Sequence, residues 1–69
     1  KNYAAAIEAF TKAAEADPAD YAARFHLGLA YSLKGDTAAA IPHFKAALER
    51  KSGLYEAQLN LGIALLDQK

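Results

Sequence analysis

The chain has 69 residues, with eight basic side chains against eight acidic ones and no Cys, Met or Trp. This length provides one small folding unit, and the balanced charge gives no electrostatic footprint for nucleic acid or an anionic membrane surface. Without Cys there is neither a disulfide framework nor a thiolate metal site. No apolar run approaches the ~20 residues of a membrane span, and no signal peptide is visible, so the sequence leaves the compartment open.

The first predicted helix covers about Asn2–Ala16 and ends before Asp17-Pro18, because a proline biases the preceding residue away from helix. The second, Tyr21–Lys34, follows Asp20, which can serve as its N-cap. Its larger side chains point in several directions, which is typical of a helix packed by more than one neighbour. They are Phe25, Leu27, Leu29, Tyr31 and Leu33.

Gly35 can take the left-handed conformation that ends the second helix, and Asp36 can cap the third at once. So short a joint predicts that the second helix and the third, about Thr37–Lys51, lie antiparallel. Pro42 falls inside the third helix and removes one backbone hydrogen bond, so we expect a mild kink there, not a break. A fourth helix is predicted over Tyr55–Gln68.

The sequence repeats itself with a period of 34 residues. In one ungapped register, 35 compared positions contain twelve identities. The paired residues include Ala4-Ala5-Ala6-Ile7 with Ala38-Ala39-Ala40-Ile41, Phe10 with Phe44, Ala13 with Ala47, Tyr21 with Tyr55, and Leu27-Gly28 with Leu61-Gly62. On the third helix, Ala40, Ile41, Phe44, Ala47 and Leu48 form one apolar stripe at spacings of three and four.

These residues resemble the tetratricopeptide repeat family, whose 34-residue unit is a helix–turn–helix. The resemblance rests on the two Leu-Gly pairs, on Tyr31, on Pro18 at the end of a unit, and on the spacing Ala6, Phe10, Ala13, which recurs as Ala40, Phe44, Ala47. It implies an all-α fold in which antiparallel helix–turn–helix repeats stack as a right-handed solenoid. It also implies a protein or peptide partner.

In that frame we expect residues 1–69 to form one domain of four helices with half a repeat at each end. Residues 2–16 are the second helix of a preceding repeat, residues 21–54 a complete repeat, and residues 55–69 the first helix of a following repeat. Repeats bury their apolar faces on their neighbours. We therefore expect an excerpt of a longer array, or packing supplied by another molecule.

No catalytic constellation is visible, so we expect a chain that is not an enzyme and holds no cofactor. Phosphate-binding loops, dinucleotide fingerprints and nucleophile elbows are missing. His26 and His43 fall on different helices without a carboxylate at ligand spacing, which favours surface or groove-wall imidazoles over a metal site.

The candidate site is a second apolar stripe on each first helix. Leu27 and Tyr31 are expected to face the partner helix of their own repeat, which leaves other residues for the concave face that holds a peptide or helix in the family. The predicted groove residues are Ala22, Phe25, Leu29, Ser32, Leu33, Glu56, Leu59, Ile63, Leu66 and Asp67. A plainer alternative is that some of them, Leu29 and Leu33 especially, only pack against adjacent repeats.

Three functions remain open from the sequence. The leading one is a scaffold that binds a peptide or amphipathic helix in an apolar concave groove. The alternative is self-assembly into a homo-oligomer, with open repeat ends that stack or swap between copies. The weakest is a set of substrate-recruiting repeats in a larger enzyme.

Overall fold

Four helices account for nearly all of residues 2–68, the part of the chain that the computed structural model describes. They are α1 (Tyr3–Ala16), α2 (Tyr21–Lys34), α3 (Thr37–Arg50) and α4 (Tyr55–Gln68). The described residues contain no strand. The prediction of an all-α chain with four helices is confirmed, and every helix begins and ends within one residue of its predicted bounds.

Aspartate side chains fix where the two central helices begin. The Oδ1 atom of Asp20 accepts hydrogen bonds from the backbone N–H groups of Ala22, at 3.0 Å, and Ala23, at 3.2 Å. Asp36 accepts one from the N–H of Ala39 at 3.2 Å. Each bond satisfies an N–H group that has no partner within its helix, which stabilises a helix start by about 1 kcal/mol.

The joint between α2 and α3 is a tight left-handed turn. Gly35 has a φ of 99°, a conformation that glycine adopts without steric cost. The N–H of Gly35 donates to the carbonyl of Ser32 at 3.1 Å, and the N–H of Asp36 donates to that of Tyr31 at 2.9 Å. These bonds satisfy the last carbonyls of α2. The turn reverses the chain within two residues and sets α2 and α3 antiparallel.

The helices stack in chain order. α2 packs between α1 and α3, α3 packs between α2 and α4, and α2 also touches α4 at a few positions. Most of the residues buried between them are alanines, whose small side chains allow the backbones to approach closely. The fully or nearly fully buried residues are Ala14, Ala23, Leu27, Ala30, Ala40, Phe44, Ala47, Ala57 and Ala64.

Phe44 is the one large side chain among the described residues that is completely buried. Its ring lies over Gly28 of α2, and a Cβ atom added there would come within 2.5 Å of the ring. No real side chain tolerates that distance, so α2 and α3 can pack at this spacing only because residue 28 has no side chain.

Leu27 does not occupy the position that the sequence predicted. It is 2 % exposed and clusters with Ala14 of α1, with Ile7 and Phe10 packed against the same cluster. It therefore faces the preceding helix, not the partner helix of its own repeat. Tyr31 contacts both sides, since it packs against this cluster while its ring stacks on that of His43 in α3, with 5.3 Å between ring centroids.

Pro42 lies inside α3, which continues without interruption from Thr37 to Arg50. The residue is exposed, so its ring points away from the neighbouring helices. The prediction that this proline does not break the helix is confirmed.

We expect Pro42→Glu to raise the free energy of unfolding by about 2 kcal/mol. The replacement restores a backbone hydrogen bond, which outweighs the loss of the rigidity that proline gives the unfolded chain. Glu8 already stands at the equivalent position of α1. Urea unfolding measures the change, and Lys45→Ala on the same helix shows the size of an ordinary surface substitution. An unchanged or lower stability of Pro42→Glu would contradict the expectation.

Replacement of each of the two equivalent glycines, Gly28 and Gly62, by alanine should change the stability of the chain in opposite directions. Gly28→Ala should destabilise the chain by about 1–3 kcal/mol because the new methyl group overpacks against Phe44. Gly62→Ala should stabilise it by up to about 1 kcal/mol through helix propensity, since nothing lies within 4 Å of a Cβ atom there. Urea unfolding of dilute samples compares them, and two effects of the same sign would refute the packing argument.

Candidate functional site

An open cleft of about 660 Å³ lies where the C-terminal ends of α2 and α4 meet the first residue of α3. Because α3 runs antiparallel to both of its neighbours, the ends of α2 and α4 come side by side at the start of α3. The lining residues are Ser32, Thr37, Ile63, Ala64, Leu66 and Asp67.

The cleft combines apolar side chains with a polar edge. Leu66 is 75 % exposed and Ile63 is 56 % exposed, whereas Ala64 is buried and forms the floor. The hydroxyl groups of Ser32 and Thr37 supply hydrogen-bonding atoms. This arrangement suits an apolar side chain carried on a segment whose own polar atoms need partners.

A second depression, of about 450 Å³, lies at the other end of α4. It is lined by Tyr55, Glu56, Gln58 and Leu59. Leu59 is 66 % exposed and Tyr55 is 82 % exposed. The side-chain amide of Gln58 donates to the carbonyl of Ser52 at 2.6 Å, which ties α4 to the turn before it.

The ten predicted groove residues are divided among several environments. Ser32, Ile63, Leu66 and Asp67 line the cleft, and Glu56 and Leu59 line the depression. The other four line neither cavity: Ala22, Phe25 and Leu29 are half-buried, and Leu33 is exposed.

Phe25 takes part in helix packing. Its ring centroid lies 6.0 Å from that of Phe44 in α3 and 5.7 Å from that of His26. Phe25 therefore packs against the partner helix of its own repeat, a contact that neither the groove nor packing against adjacent repeats predicts.

Sequence reasoning missed Thr37 and Ala64 in the cleft. The predicted groove draws on α2 and α4 alone, yet Thr37, the first residue of α3, lies beside the last turns of both. The small side chain of Ala64 gives no chemical signal in the sequence.

A third cavity, of about 320 Å³, lies at the junction of α1, α2 and α3. Its lining residues are Thr11, Ala14, Glu15, Arg24, Leu27, Tyr31 and His43. Burial, together with the positive charge of Arg24, lowers the pKa of His43 from its ordinary value of 6.5. The Nε atom of Arg24 is buried, and the described residues offer it no hydrogen-bond partner.

Residues 2–68 bring no three His, Asp or Glu side chains together as metal ligands. Within the same residues, no helix has both the length and the apolar character that a membrane span requires.

A comparison with protein families matches the chain to the tetratricopeptide repeat model over residues 1–55 and again over residues 34–69. Together the two matches cover every residue. The chain belongs to the tetratricopeptide repeat family. Tetratricopeptide repeats generally mediate protein–protein interactions. No curated protein matches the chain as a relative.

We expect the stability of this tetratricopeptide repeat chain to fall as the pH drops below about 6.5. The pKa of His43 is lower in the folded chain than in the unfolded one, so protons bind preferentially to the unfolded state. The contribution is fully present above the unfolded pKa and is lost as the pH falls toward the folded value.

His43→Ala tests this dependence, and Ala9 already stands at the equivalent position of α1. Urea unfolding between pH 5 and pH 8 should give a flatter curve for the variant than for the parent chain. At pH 8, the difference in the free energy of unfolding between His43→Ala and the parent chain measures the loss of the ring stack with Tyr31. Two parallel curves would show that His43 is not responsible.

Proposed function

We propose that the chain is an interaction module that holds an amphipathic helical segment of another polypeptide in the cleft between α2 and α4. One observation carries the proposal: Ile63 and Leu66 expose apolar side chains beside the hydroxyl groups of Ser32 and Thr37. Contiguous exposed apolar surface of this kind marks interaction sites on proteins.

The charges around the cleft indicate the partner's chemistry. Asp67 lines the cleft itself, and Glu56 lines the depression at the other end of α4. Among residues 2–68, the charged side chain that lines the cleft is the carboxylate of Asp67, which favours a basic partner segment over a terminal carboxylate. A helix with apolar anchors at i, i+3, i+4 and i+7 and basic residues between them fits both features.

A specific observation also favours a second function, self-association. Residues of α1 and α4 are exposed at positions whose equivalents on α3 and α2 are buried. Ala13 is exposed whereas Ala47 is buried, and Gly62 is exposed whereas Gly28 is buried. The outer helices therefore each present one face of the kind that the inner helices bury. Neither function assigns a catalytic step to the chain.

The binding proposal predicts that Leu66→Glu weakens peptide binding. The probe is a fluorescent synthetic helix with leucine at i, i+3, i+4 and i+7 and lysine elsewhere, and anisotropy measures its affinity. We expect a loss of about tenfold or more, since an exposed charge replaces an apolar contact. A probe with glutamate in place of lysine should bind more weakly because of Asp67.

Leu33→Glu is the matched control. Leu33 is exposed to 66 %, close to Leu66 at 75 %, but it does not line the cleft. Its replacement should change the affinity less than about twofold. Equal losses in both variants would place the probe on a wider groove, and unchanged binding in Leu66→Glu would rule out the cleft.

A further inference from the structure

The repeat allows each outer helix to be compared with an inner helix of the same kind. Phe10 on α1 is equivalent to Phe44 on α3, and Ala13 is equivalent to Ala47. Phe44 and Ala47 are completely buried, whereas Phe10 is half-buried and Ala13 is exposed. α3 packs against helices on two sides and α1 against α2 alone. The difference marks a face of α1 that no helix within residues 2–68 covers.

The same comparison marks the open face of α4. Gly62 is equivalent to Gly28, but its surroundings are empty within 4 Å, whereas Phe44 fills the space over Gly28. Leu59 is equivalent to Phe25, which packs against Phe44, yet Leu59 is 66 % exposed. α4 therefore presents a notch at Gly62 of the shape that receives an aromatic ring in α2.

These two open faces are complementary. The notch at Gly62 of α4 is equivalent to the one over Gly28 that Phe44 fills. On α1, Phe10 stands at the position of Phe44. Its neighbours Ala6 and Ala13 stand at the positions of Ala40 and Ala47. We propose that α1 of a second copy docks on α4, with Phe10 seated over Gly62 and against Leu59. The contact reproduces between two copies the interface that α2 and α3 form within one chain.

The remaining positions of this contact are compatible. Leu65 is equivalent to Tyr31, and Ala9 is equivalent to His43. Tyr31 stacks on His43 between α2 and α3, so Leu65 of one docked copy would face Ala9 of the other. Leu65 is 49 % exposed in the single chain. An apolar pair therefore replaces the polar one, and this pair buries no titratable group.

The contact is head-to-tail, so each copy offers one α1 face and one α4 face. Such heterologous association does not close at two copies and grows into open chains. This inference rests on the second proposed function, self-association, and specifies the surfaces that carry it. It also separates that function from a symmetric dimer, whose mass would stop rising at two copies.

Two substitutions block one face each and leave the single chain intact. Ala13→Arg places a long charged side chain where α4 of another copy would pack, and Ala13 is exposed in the single chain. Gly62→Leu fills the notch, and nothing in the single chain lies within 4 Å of the added Cβ atom. Far-UV circular dichroism verifies that both variants stay helical.

Light scattering across a concentration range then gives the molar mass. The parent chain should exceed the mass of two copies as its concentration rises, and each variant alone should remain monomeric. Ala13→Arg retains the α4 face and Gly62→Leu retains the α1 face. An equimolar mixture should therefore form a one-to-one dimer and grow no further.

Ala4→Arg and Gly53→Leu are the matched controls. Ala4 and its equivalent Ala38 are both exposed, as are Gly53 and its equivalent Ala19, so neither control touches a face that an additional helix would cover. Both controls should associate as the parent chain does, within about twofold.

Each other outcome overturns the proposal in a distinct way. A parent chain that stays monomeric at millimolar concentration refutes self-association altogether, leaving the α4 face to a different partner helix. Parent association that survives both substitutions, or a mixture that stays monomeric, refutes these surfaces while self-association stands. Binding of the leucine–lysine probe is measured separately, on the Ala13→Arg variant, which is expected to stay monomeric. This measurement tests the peptide-binding proposal whatever the association experiments show.

Discussion

The contact between Phe44 and Gly28 is the constraint on which the rest of the structure depends. A phenylalanine ring replaces the side chain that residue 28 lacks, so α2 and α3 pack at a distance that no other residue at position 28 would permit. At that distance alanine is large enough to fill the space between backbones, in keeping with the complete burial of Ala40 and Ala47 on α3. Phe44, Leu27 and a set of alanine methyl groups thus form the interior, and Leu33, Leu59, Ile63, Leu65 and Leu66 are exposed at the surface.

The position of the cleft follows from the same packing. α3 lies between α2 and α4 and runs antiparallel to both, so the two first helices of the repeats are parallel and touch. Their last turns lie beside Thr37, and the exposed side chains of Ile63 and Leu66 line the cleft there. Helices that carry the fold therefore also line the cleft, and all of its lining residues among residues 2–68 belong to helices.

The helices could be predicted almost to the residue because their ends have local causes. Asp20, Gly35 and Asp36 act through their own backbone neighbourhoods, and the 34-residue period then fixes the order of the elements. The direction of Leu27 could not be predicted, because α2 is apolar on two sides and periodicity does not say which neighbour each side meets. The groove was predicted from a pattern on α2 and α4 alone. It therefore omitted Thr37, which α3 contributes, and included Phe25, whose ring packs against Phe44.

Contacts between helices in residues 2–68 mainly join helices that follow one another in the chain. α2 touches α4 at a few positions, and α1 touches neither α3 nor α4. A tensile force applied to the two ends of the chain would meet no contact that joins the first helix to the last. It would act on one interface at a time, and each helix could peel away while the others stay packed. The chain should therefore yield in small steps under low load, as a spring does, rather than rupture at a single threshold.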